Sequence, residues 1–311
     1  MRRALLVLTL LVLACCAAAD PDTRDARLGC ALNRLAEMPL ETHGDLLFVR
    51  ARIAGAPVLL LVDTGAERTL LTEAAVERLR LPRDHQHATR TYGIGSSTAS
   101  WDAVLPDGLT LGNARFPLDG VTVGRFSMIR VGGAPADGLL GADVLLAFDV
   151  DLDVPNRRMA LYKVEGCDGN YVPWQGEHSV VTTYRYGRGL ILVKLTLNGT
   201  PALAILDSGA ENSLVAVQAA TRAGVSPAAL QSDRTGHTKG VDGAVQTMHA
   251  HRFDSMDVGS DRVQNATLAV GSLVAPMGAE MLLGIDWLRT HRVWIDYRDR
   301  RLFIQRSTPV G

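Results

Sequence analysis

The sequence has little that would suit a nucleic-acid partner. Aromatic residues make up only 5% of its 311 positions, so platforms for stacking single-stranded bases are not expected. The formal net charge is −1, and the 32 basic and 33 acidic residues are interspersed, with no basic face that would follow a phosphate backbone. These two absences argue against nucleic acid as a partner.

Cysteine is scarce too, with four in the chain. No CxxC pair and no clustered His/Cys spacing is present, so the sequence predicts neither a metal site nor a cofactor. Beyond the first residues only Cys30 and Cys167 remain. In an oxidising compartment they either form a disulfide bond or are two unrelated buried thiols, and both alternatives stay open.

Long apolar runs are absent beyond the N-terminus. Val, Leu, Thr and Gly are plentiful in short runs, which is typical of many strands joined by turns. The length fits two domains, each with its own core. The expected strands are Leu46 to Ile53, Val58 to Val62, Leu190 to Leu197 and Ala202 to Leu206.

Two segments of the chain are copies of each other. Residues 55–70 read GAPVLLLVDTGAERTL, and residues 199–214 read GTPALAILDSGAENSL. They align without a gap, and each places an aspartate, Asp63 or Asp207, directly after an apolar strand. Short helices are expected near Glu73 to Leu79 and near Val215 to Ala223.

A second pair of matching segments lies downstream at nearly equal intervals. Residues 138–145 read GLLGADVL, and residues 281–288 read MLLGIDWL. The two halves stay in step to the end of each copy, so the chain is a tandem duplication. Asp143 and Asp286, which follow the shared glycines, could help the site, but a cap on the short helix after each of them is favoured.

The duplicated aspartates have a chemical implication. A carboxylate at the end of a buried strand is costly to leave unpaired. Gly65 and Gly209 would let each loop approach its partner loop closely, and the hydroxyls of Thr64 and Ser208 could bond across to it. If the loops face each other, Asp63 and Asp207 cannot both ionise, so one would act as general base on a water molecule and the other as general acid.

These residues resemble the aspartic proteases, specifically the bacterial retropepsin-like members, in a pepsin-like arrangement of two lobes. The resemblance rests on the D-T-G-A and D-S-G-A motifs and on the two Leu-Leu-Gly elements that end at Gly141 and Gly284. It implies an all-β fold of two tandem homologous β-barrel-like lobes, with the active site between them. It also implies that Gly141 and Gly284 pack beneath the catalytic loops in a psi-shaped motif.

The resemblance further implies a β-hairpin flap over the bound peptide. In the first lobe, Tyr92, Gly93 and Gly95 are the candidate flap residues, with Tyr92 as the flap tyrosine. In the second lobe the matching stretch contains Gly240 but no aromatic residue. Ordinary glycine turns are the alternative, and one flap or two both stay open.

The N-terminus has the pattern of an export signal. Arg2 and Arg3 precede the apolar stretch Ala4 to Leu13, which is too short to span a bilayer as a permanent helix. The residues before Cys15 resemble a bacterial lipobox, which would make Cys15 a lipidated first residue. The alternative is cleavage after the alanines that precede Asp20. Either route predicts export, to the bacterial periplasm or to the outer membrane as a lipoprotein.

The expected organisation follows from these segments. The units are a signal peptide at 1–19, an N-terminal arm at 20–44 with a helix around Cys30 to Glu37, a first lobe at 45–164, a linker at 165–188, a second lobe at 189–306 and a tail at 307–311. The expected function is hydrolysis of peptide bonds within a peptide or protein substrate. The alternative is a non-catalytic or zymogen-like peptide-binding protein. A monomer is favoured and a dimer stays open, and the only expected membrane contact is the lipid at Cys15.

Overall fold

The structure is a computed structural model, and it describes residues 29–92, 97–124, 130–131, 134–239, 245–273 and 275–307. The signal segment and Cys15 lie outside this range. The described part is mostly β-strand with a few short helices, which confirms the all-β prediction. No helix within these ranges is long and apolar enough to cross a membrane.

The strands fall into two runs of similar order. In the first half they are β1 (Ala31–Pro39), β2 (Glu41–His43), β3 (Leu46–Ile53), β4 (Ala56–Val62), β5 (Leu70–Thr72), β6 (Arg83–Tyr92), β7 (Ser97–Val104), β8 (Leu109–Leu111), β9 (Ala114–Phe116), β10 (Gly120–Gly124), β11 (Arg130–Val131), β12 (Ala134–Pro135), β13 (Gly138–Leu140), β14 (Asp149–Asp153) and β15 (Arg158–Glu165). In the second half they are β16 (Ser179–Tyr186), β17 (Leu190–Leu197), β18 (Thr200–Leu206), β19 (Leu214–Ala216), β20 (Arg234–Lys239), β21 (Val245–Arg252), β22 (Ser255–Val258), β23 (Asp261–Gln264), β24 (Thr267–Gly271), β25 (Met281–Leu283), β26 (His291–Asp296) and β27 (Arg301–Arg306).

The helices are short. They are α1 (Glu73–Leu79), α2 (Ala142–Leu145), α3 (Val217–Arg222), α4 (Pro227–Ser232) and α5 (Ile285–Leu288), with a 3₁₀ turn at Pro276–Gly278. The predicted helices after each aspartate loop are present as α1 and α3. Thr72 caps α1, because its hydroxyl accepts a hydrogen bond from the Ala75 amide.

The hairpins that lead to the two aspartates have the same turn. Ala54 and Gly55 between β3 and β4 have φ values of 49° and 74°, and Asn198 and Gly199 between β17 and β18 have 48° and 75°. Two positive φ values in a row are those of the two-residue turn whose twist matches a hairpin. Asn-Gly suits this turn, whereas a positive φ is strained for Ala54. The Ala54-Gly55 turn nevertheless has the same conformation as the Asn198-Gly199 turn, because the flanking strands pair in the same register.

Each half contains a strand that crosses between two others. Strand β13 lies parallel to β4 and antiparallel to β5, and β25 lies parallel to β18 and antiparallel to β19. In register, Leu140 lies opposite Val62 and Leu283 lies opposite Leu206. The crossing strand therefore ends beside the residue that precedes each aspartate.

A shared antiparallel sheet joins the two lobes. Its order is β1-β15-β14-β26-β27-β16, and the central pair β14–β26 brings the last strands of the two copies together. Arg292 on β26 donates two hydrogen bonds, of 2.9 and 2.6 Å, to the buried carboxylate of Asp151 on β14. One face of this sheet carries a buried aromatic cluster, which contains Tyr162, Tyr171, Trp174, Trp294 and Phe303.

The predicted helix around Cys30 to Glu37 is wrong. These residues form β1, which pairs along its length with β15. Cys30 and Cys167 form a disulfide bond, so the arm is tied to the chain that follows β15. In the loop-entropy account, a bridge between residues 137 positions apart lowers the conformational entropy of the unfolded chain and so stabilises the folded protein by about 4–5 kcal/mol.

The stretch between the two copies is partly ordered into strand. Ser179–Tyr186, within the segment 165–188 expected as a linker, forms β16 and pairs with both β27 and β17. Residues 165–178 have no strand or helix beyond the end of β15, and Tyr171 and Trp174 within them are buried against the shared sheet.

Candidate active site

The two aspartate loops meet at the boundary between the lobes. A Cβ atom placed on Gly65 would lie 2.4 Å from Cγ of Asp207, and one placed on Gly209 would lie 2.5 Å from Cγ of Asp63. Each carboxylate therefore packs directly against the glycine of the other loop. Only glycine leaves room for this contact, which brings Asp63 and Asp207 into one site.

Crossed hydrogen bonds between the lobes hold the two loops together. The Thr64 hydroxyl donates to the Leu206 carbonyl (2.7 Å), and the Ser208 hydroxyl donates to the Val62 carbonyl (2.7 Å). Each hydroxyl also accepts from the backbone amide of the other residue, at 3.0 Å in both directions. Thr64 and Ser208 are almost fully buried, so water does not compete for these bonds.

Each carboxylate is also oriented by its own loop. The Gly65 amide donates to Oδ1 of Asp63 (3.0 Å), and the Gly209 amide donates to Oδ1 of Asp207 (2.9 Å). Asp63 is buried and Asp207 is partly buried. Each carboxyl group is therefore held by a backbone amide of its own loop in addition to its contact with the other carboxyl group.

The surroundings raise the pKa of both carboxyl groups. Burial is the main cause of the raised pKa of Asp63, which lies well above the usual 3.8, and the negative charge of Asp207 adds to it. Burial raises the pKa of Asp207 to about 6, although hydrogen bonds from Gly209, Ala210 and Asp63 oppose the rise. Because the two groups interact, the pair holds one shared proton over the range between its two macroscopic pKa values.

This shared proton makes stability depend on pH. Since the pKa of Asp207 is raised from 3.8 to about 6 in the folded protein, its stabilising contribution is complete below pH 3.8 and is lost as the pH rises through about 6. The rise corresponds to on the order of 3 kcal/mol. Urea unfolding at pH 4 and pH 7 should therefore show a smaller pH dependence for Asp207→Asn than for the wild type. Equal pH dependence of the two proteins would contradict the raised pKa.

The two glycines that end the Leu-Leu-Gly elements pack beneath the aspartate loops. A Cβ atom on Gly141 would lie 2.4 Å from the Arg68 carbonyl carbon, and one on Gly284 would lie 2.8 Å from the Ala210 carbonyl oxygen. Either substitution would press on the backbone of a loop that carries an aspartate. The structure thus places Gly141 and Gly284 against the two loops.

The interpretation of Asp143 and Asp286 as helix caps is only partly right: Asp286 Oδ1 accepts from the Trp287 amide in the first turn of α5 (2.9 Å), but neither residue occupies the N-cap position. The caps of α2 and α5 are Gly141 and Gly284, which have no side chain to offer. Asp143 Oδ1 instead accepts from the amide (2.8 Å) and hydroxyl (2.7 Å) of Thr69 at the far end of the first loop. Asp286 Oδ1 accepts from Ser213 in the same way, at 2.9 and 2.6 Å.

Thr69 and Ser213 were missed by the sequence interpretation. The signal was present in the repeat, because both copies carry a hydroxyl residue six positions after the aspartate and an acid two positions after the downstream glycine. Burial raises the pKa of Asp143, while hydrogen bonds from Thr69 oppose that rise.

The flap candidates are only partly within the described residues. Tyr92 is the last residue of β6 and pairs with Ser97 of β7, so it lies at the end of the hairpin where the two strands are connected. Gly93, Gly95 and Gly240 lie outside the described residues. The second lobe has a corresponding hairpin, β20–β21, in which Lys239 pairs with Val245. Among the residues described, no group of three or more His, Cys, Asp or Glu side chains could hold a metal ion.

Comparisons with known proteins match each half of the chain to a protease family. The family model described as "Aspartyl protease" matches residues 49–144. The family model described as "gag-polyprotein putative aspartyl protease" matches residues 193–290. Each match contains one copy of the aspartate loop and its downstream glycine.

Two curated proteins match about half of the chain. Protein DDI1 homolog 2 of Mus musculus is 26% identical over 147 residues, which is 46% of this chain and 34% of that protein. The UBA domain-containing protein Mud1 of Schizosaccharomyces pombe is 28% identical over 137 residues, which is 43% of this chain and 37% of that protein. The matched region is thus a little over a third of each relative.

The fold as a whole is similar to that of a solved protease. The crystal structure of the aspartic proteinase from Irpex lacteus superposes with a TM-score of 0.55 over 90% of this chain and 99% of that chain. The sequence identity is 12%, so this likeness concerns the fold. It agrees with the prediction of two lobes in a single chain.

Proposed function

Because the chain belongs to the aspartyl proteases, in a retropepsin-like form with one such domain in each of two lobes, we propose that Asp63 and Asp207 act as one catalytic pair. The pair would hydrolyse peptide bonds within a polypeptide substrate. The observation that carries this proposal is the packing of each carboxylate against the glycine of the opposite loop, with crossed hydroxyl bonds on either side.

The chemistry follows from one proton shared by two carboxyl groups. The ionised carboxylate accepts a proton from a water molecule while the water oxygen attacks the peptide carbonyl carbon. The protonated carboxyl donates its proton to the carbonyl oxygen, which gives a neutral tetrahedral intermediate. The carboxyl that took the proton from water then gives it to the peptide nitrogen, and the other carboxylate removes a proton from a hydroxyl of the intermediate as the C–N bond breaks. The pair again holds one proton.

The raised pKa values of the two carboxyl groups suit the roles of general acid and general base. Between the two macroscopic pKa values of the pair, one member keeps its proton and the other is an anion, and burial raises the pKa of that anion above the usual 3.8. A carboxylate with a higher pKa is a stronger base towards water. Burial thus prepares both the acid and the base, with no metal ion or histidine in the step.

The substrate would lie between the lobes as an extended strand. The hairpins β6–β7 and β20–β21 stand in corresponding places in the two halves of the repeat, and an extended peptide can pair its backbone with such strands. Both half-sites belong to one chain and the shared sheet joins them, which supports the proposal that the active form is a monomer.

Cleavage of a peptide library in H₂¹⁸O at pH 3 to 7 tests this function. Mass spectrometry should detect internal cuts, with one ¹⁸O atom in each new carboxyl terminus and no peptide covalently attached to the protein. Peptides that bind without being cut at any pH would instead support the peptide-binding alternative. A covalent peptide adduct would contradict direct attack by water.

A further inference from the structure

Each aspartate loop is fastened at its beginning, middle and end by the segment that crosses it. In the first lobe these bonds are Asp63 N to Leu140 O (3.0 Å), Ala142 N to Ala66 O (2.8 Å) and Gly141 N to Thr69 Oγ1 (3.0 Å). In the second lobe they are Asp207 N to Leu283 O (2.9 Å), Ile285 N to Ala210 O (2.9 Å) and Gly284 N to Ser213 Oγ (2.9 Å). The same three points recur in both copies.

The third hydrogen bond in each lobe differs from the other two because its acceptor is a side-chain hydroxyl and not a backbone carbonyl. A hydroxyl can rotate, so the Thr69 hydroxyl accepts from the Gly141 amide only when its own proton points elsewhere. Asp143 supplies that direction, since an ionised carboxylate only accepts hydrogen bonds. Asp286 does the same for Ser213.

Burial makes this orientation effective. Thr69 is 2% exposed and Ser213 is 0% exposed, so water has little access to either hydroxyl if the carboxylate is lost. An unsatisfied group in such a place is costly, and the loop would shift to relieve it. A shift at the end of so short a loop would move the carboxylate at its beginning.

We propose that Asp143 and Asp286 are positioning residues for the catalytic pair, each acting through one hydroxyl and one glycine amide. Each fixes the hydroxyl of Thr69 or Ser213, which holds Gly141 or Gly284 and so closes the loop that presents Asp63 or Asp207. This inference rests on the proposed function, but the hydrogen bonds it invokes can be tested without activity.

The test compares alanine and asparagine at the two positions. Asp143→Ala removes the acceptor and should lower kcat by about ten- to a hundredfold with KM changed less than about threefold, because a small displacement of a reacting group has this effect. Asp143→Asn retains an Oδ1 atom that can accept from both the amide and the hydroxyl of Thr69, so it should recover most of kcat. Asp286→Ala and Asp286→Asn should behave in the same way.

Asp257→Ala is the matched control. Asp257 also accepts a threonine hydroxyl, that of Thr196 at 3.0 Å, but it lies on β22 away from both aspartate loops. Its removal should lower stability without lowering kcat. A fall in kcat as large as that of Asp143→Ala would show that any lost carboxylate–threonine bond has this effect, and would overturn the proposal.

Amide hydrogen exchange measures the effect of each substitution in its own lobe and does not need a substrate. Asp143→Ala should speed exchange of the Gly141 and Ala142 amides only, and Asp286→Ala that of the Gly284 and Ile285 amides only. If an alanine variant fails to fold, Thr69→Val or Ser213→Ala tests the same hydrogen bond by removing the hydroxyl that the carboxylate orients.

Unchanged exchange and unchanged kcat would overturn the positioning role. Absence of wild-type cleavage with the expected exchange pattern would overturn only the proposed function.

Discussion

Replacing Asp63 or Asp207 by asparagine should lower kcat by about a thousandfold or more. Each carboxyl serves as either the acid or the base of the shared-proton step, and removing such a group costs about 10² to 10⁴. Because the two act as one unit, the double variant should lose little more than either single variant. Initial rates on a cleaved peptide at pH 4 to 6 measure the effect.

Binding should survive these substitutions. Asparagine is nearly the same size as aspartate and can still accept from the Gly65 or Gly209 amide, so both loops should keep their shape. Peptide dissociation constants of the variants should therefore stay within a fewfold of the wild type. Asp257→Asn, a carboxylate outside the site, serves as the matched control and should keep full activity. Normal turnover by either site variant would contradict the shared pair.

Gly65→Ala and Gly209→Ala should abolish activity nearly as completely as loss of a carboxylate. The new methyl carbon would lie 2.4 Å from Cγ of Asp207 or 2.5 Å from Cγ of Asp63, closer than such carbon atoms ever approach. Either the carboxylate or the loop must move, and a displacement of about 1 Å can cost a hundredfold in rate. Crowding of this kind also destabilises by about 1–3 kcal/mol, which thermal unfolding measures.

Gly120→Ala is the matched control for this pair. Gly120 begins β10, and its added Cβ atom would lie 3.4 Å from the Ala103 carbonyl oxygen, an ordinary contact. Activity and thermal midpoint should both stay close to the wild type. If Gly65→Ala kept more than a tenth of the wild-type kcat, the close packing of each carboxylate on the opposite glycine would be wrong.

The parts of the fold that could be predicted are those with a strong local pattern. The apolar runs of β3, β4, β17 and β18 are buried along most of their length, so their hydrophobic sequence matches their surroundings. The repeat added long-range information, because two matching half-motifs imply two equivalent loops. The two-lobed architecture followed from that duplication.

Strand β1 could not be predicted because its local sequence favours another structure. Ala31–Pro39 is rich in Ala, Leu, Arg, Glu and Met, all good helix formers, and three consecutive residues of the strand are exposed. Pairing with β15 and the bond between Cys30 and Cys167 override that preference. These partners lie more than a hundred residues away, where a local pattern carries no information.

The hydrogen-bond partner of Asp143 could not be predicted for a similar reason. An acid in the first turn of a short helix is a common cap, and the local sequence offers nothing against that interpretation. The actual partner, Thr69, is 74 residues earlier. Only the crossing of β13 between β4 and β5 brings the two together.

The shared sheet between the lobes allows the two halves of the site to accumulate different amino-acid substitutions. A site formed by two identical chains receives every substitution twice, so its two sides must stay alike. Here β14 and β26 hold two different sequences side by side, and a substitution alters one side alone. Thr64 already faces Ser208 across the site, and the hairpins β6–β7 and β20–β21 already differ in sequence at Tyr92 and Lys239. Under the proposed function, the two sides of the site are free to fit a polypeptide whose two flanks around the cut bond have nothing in common.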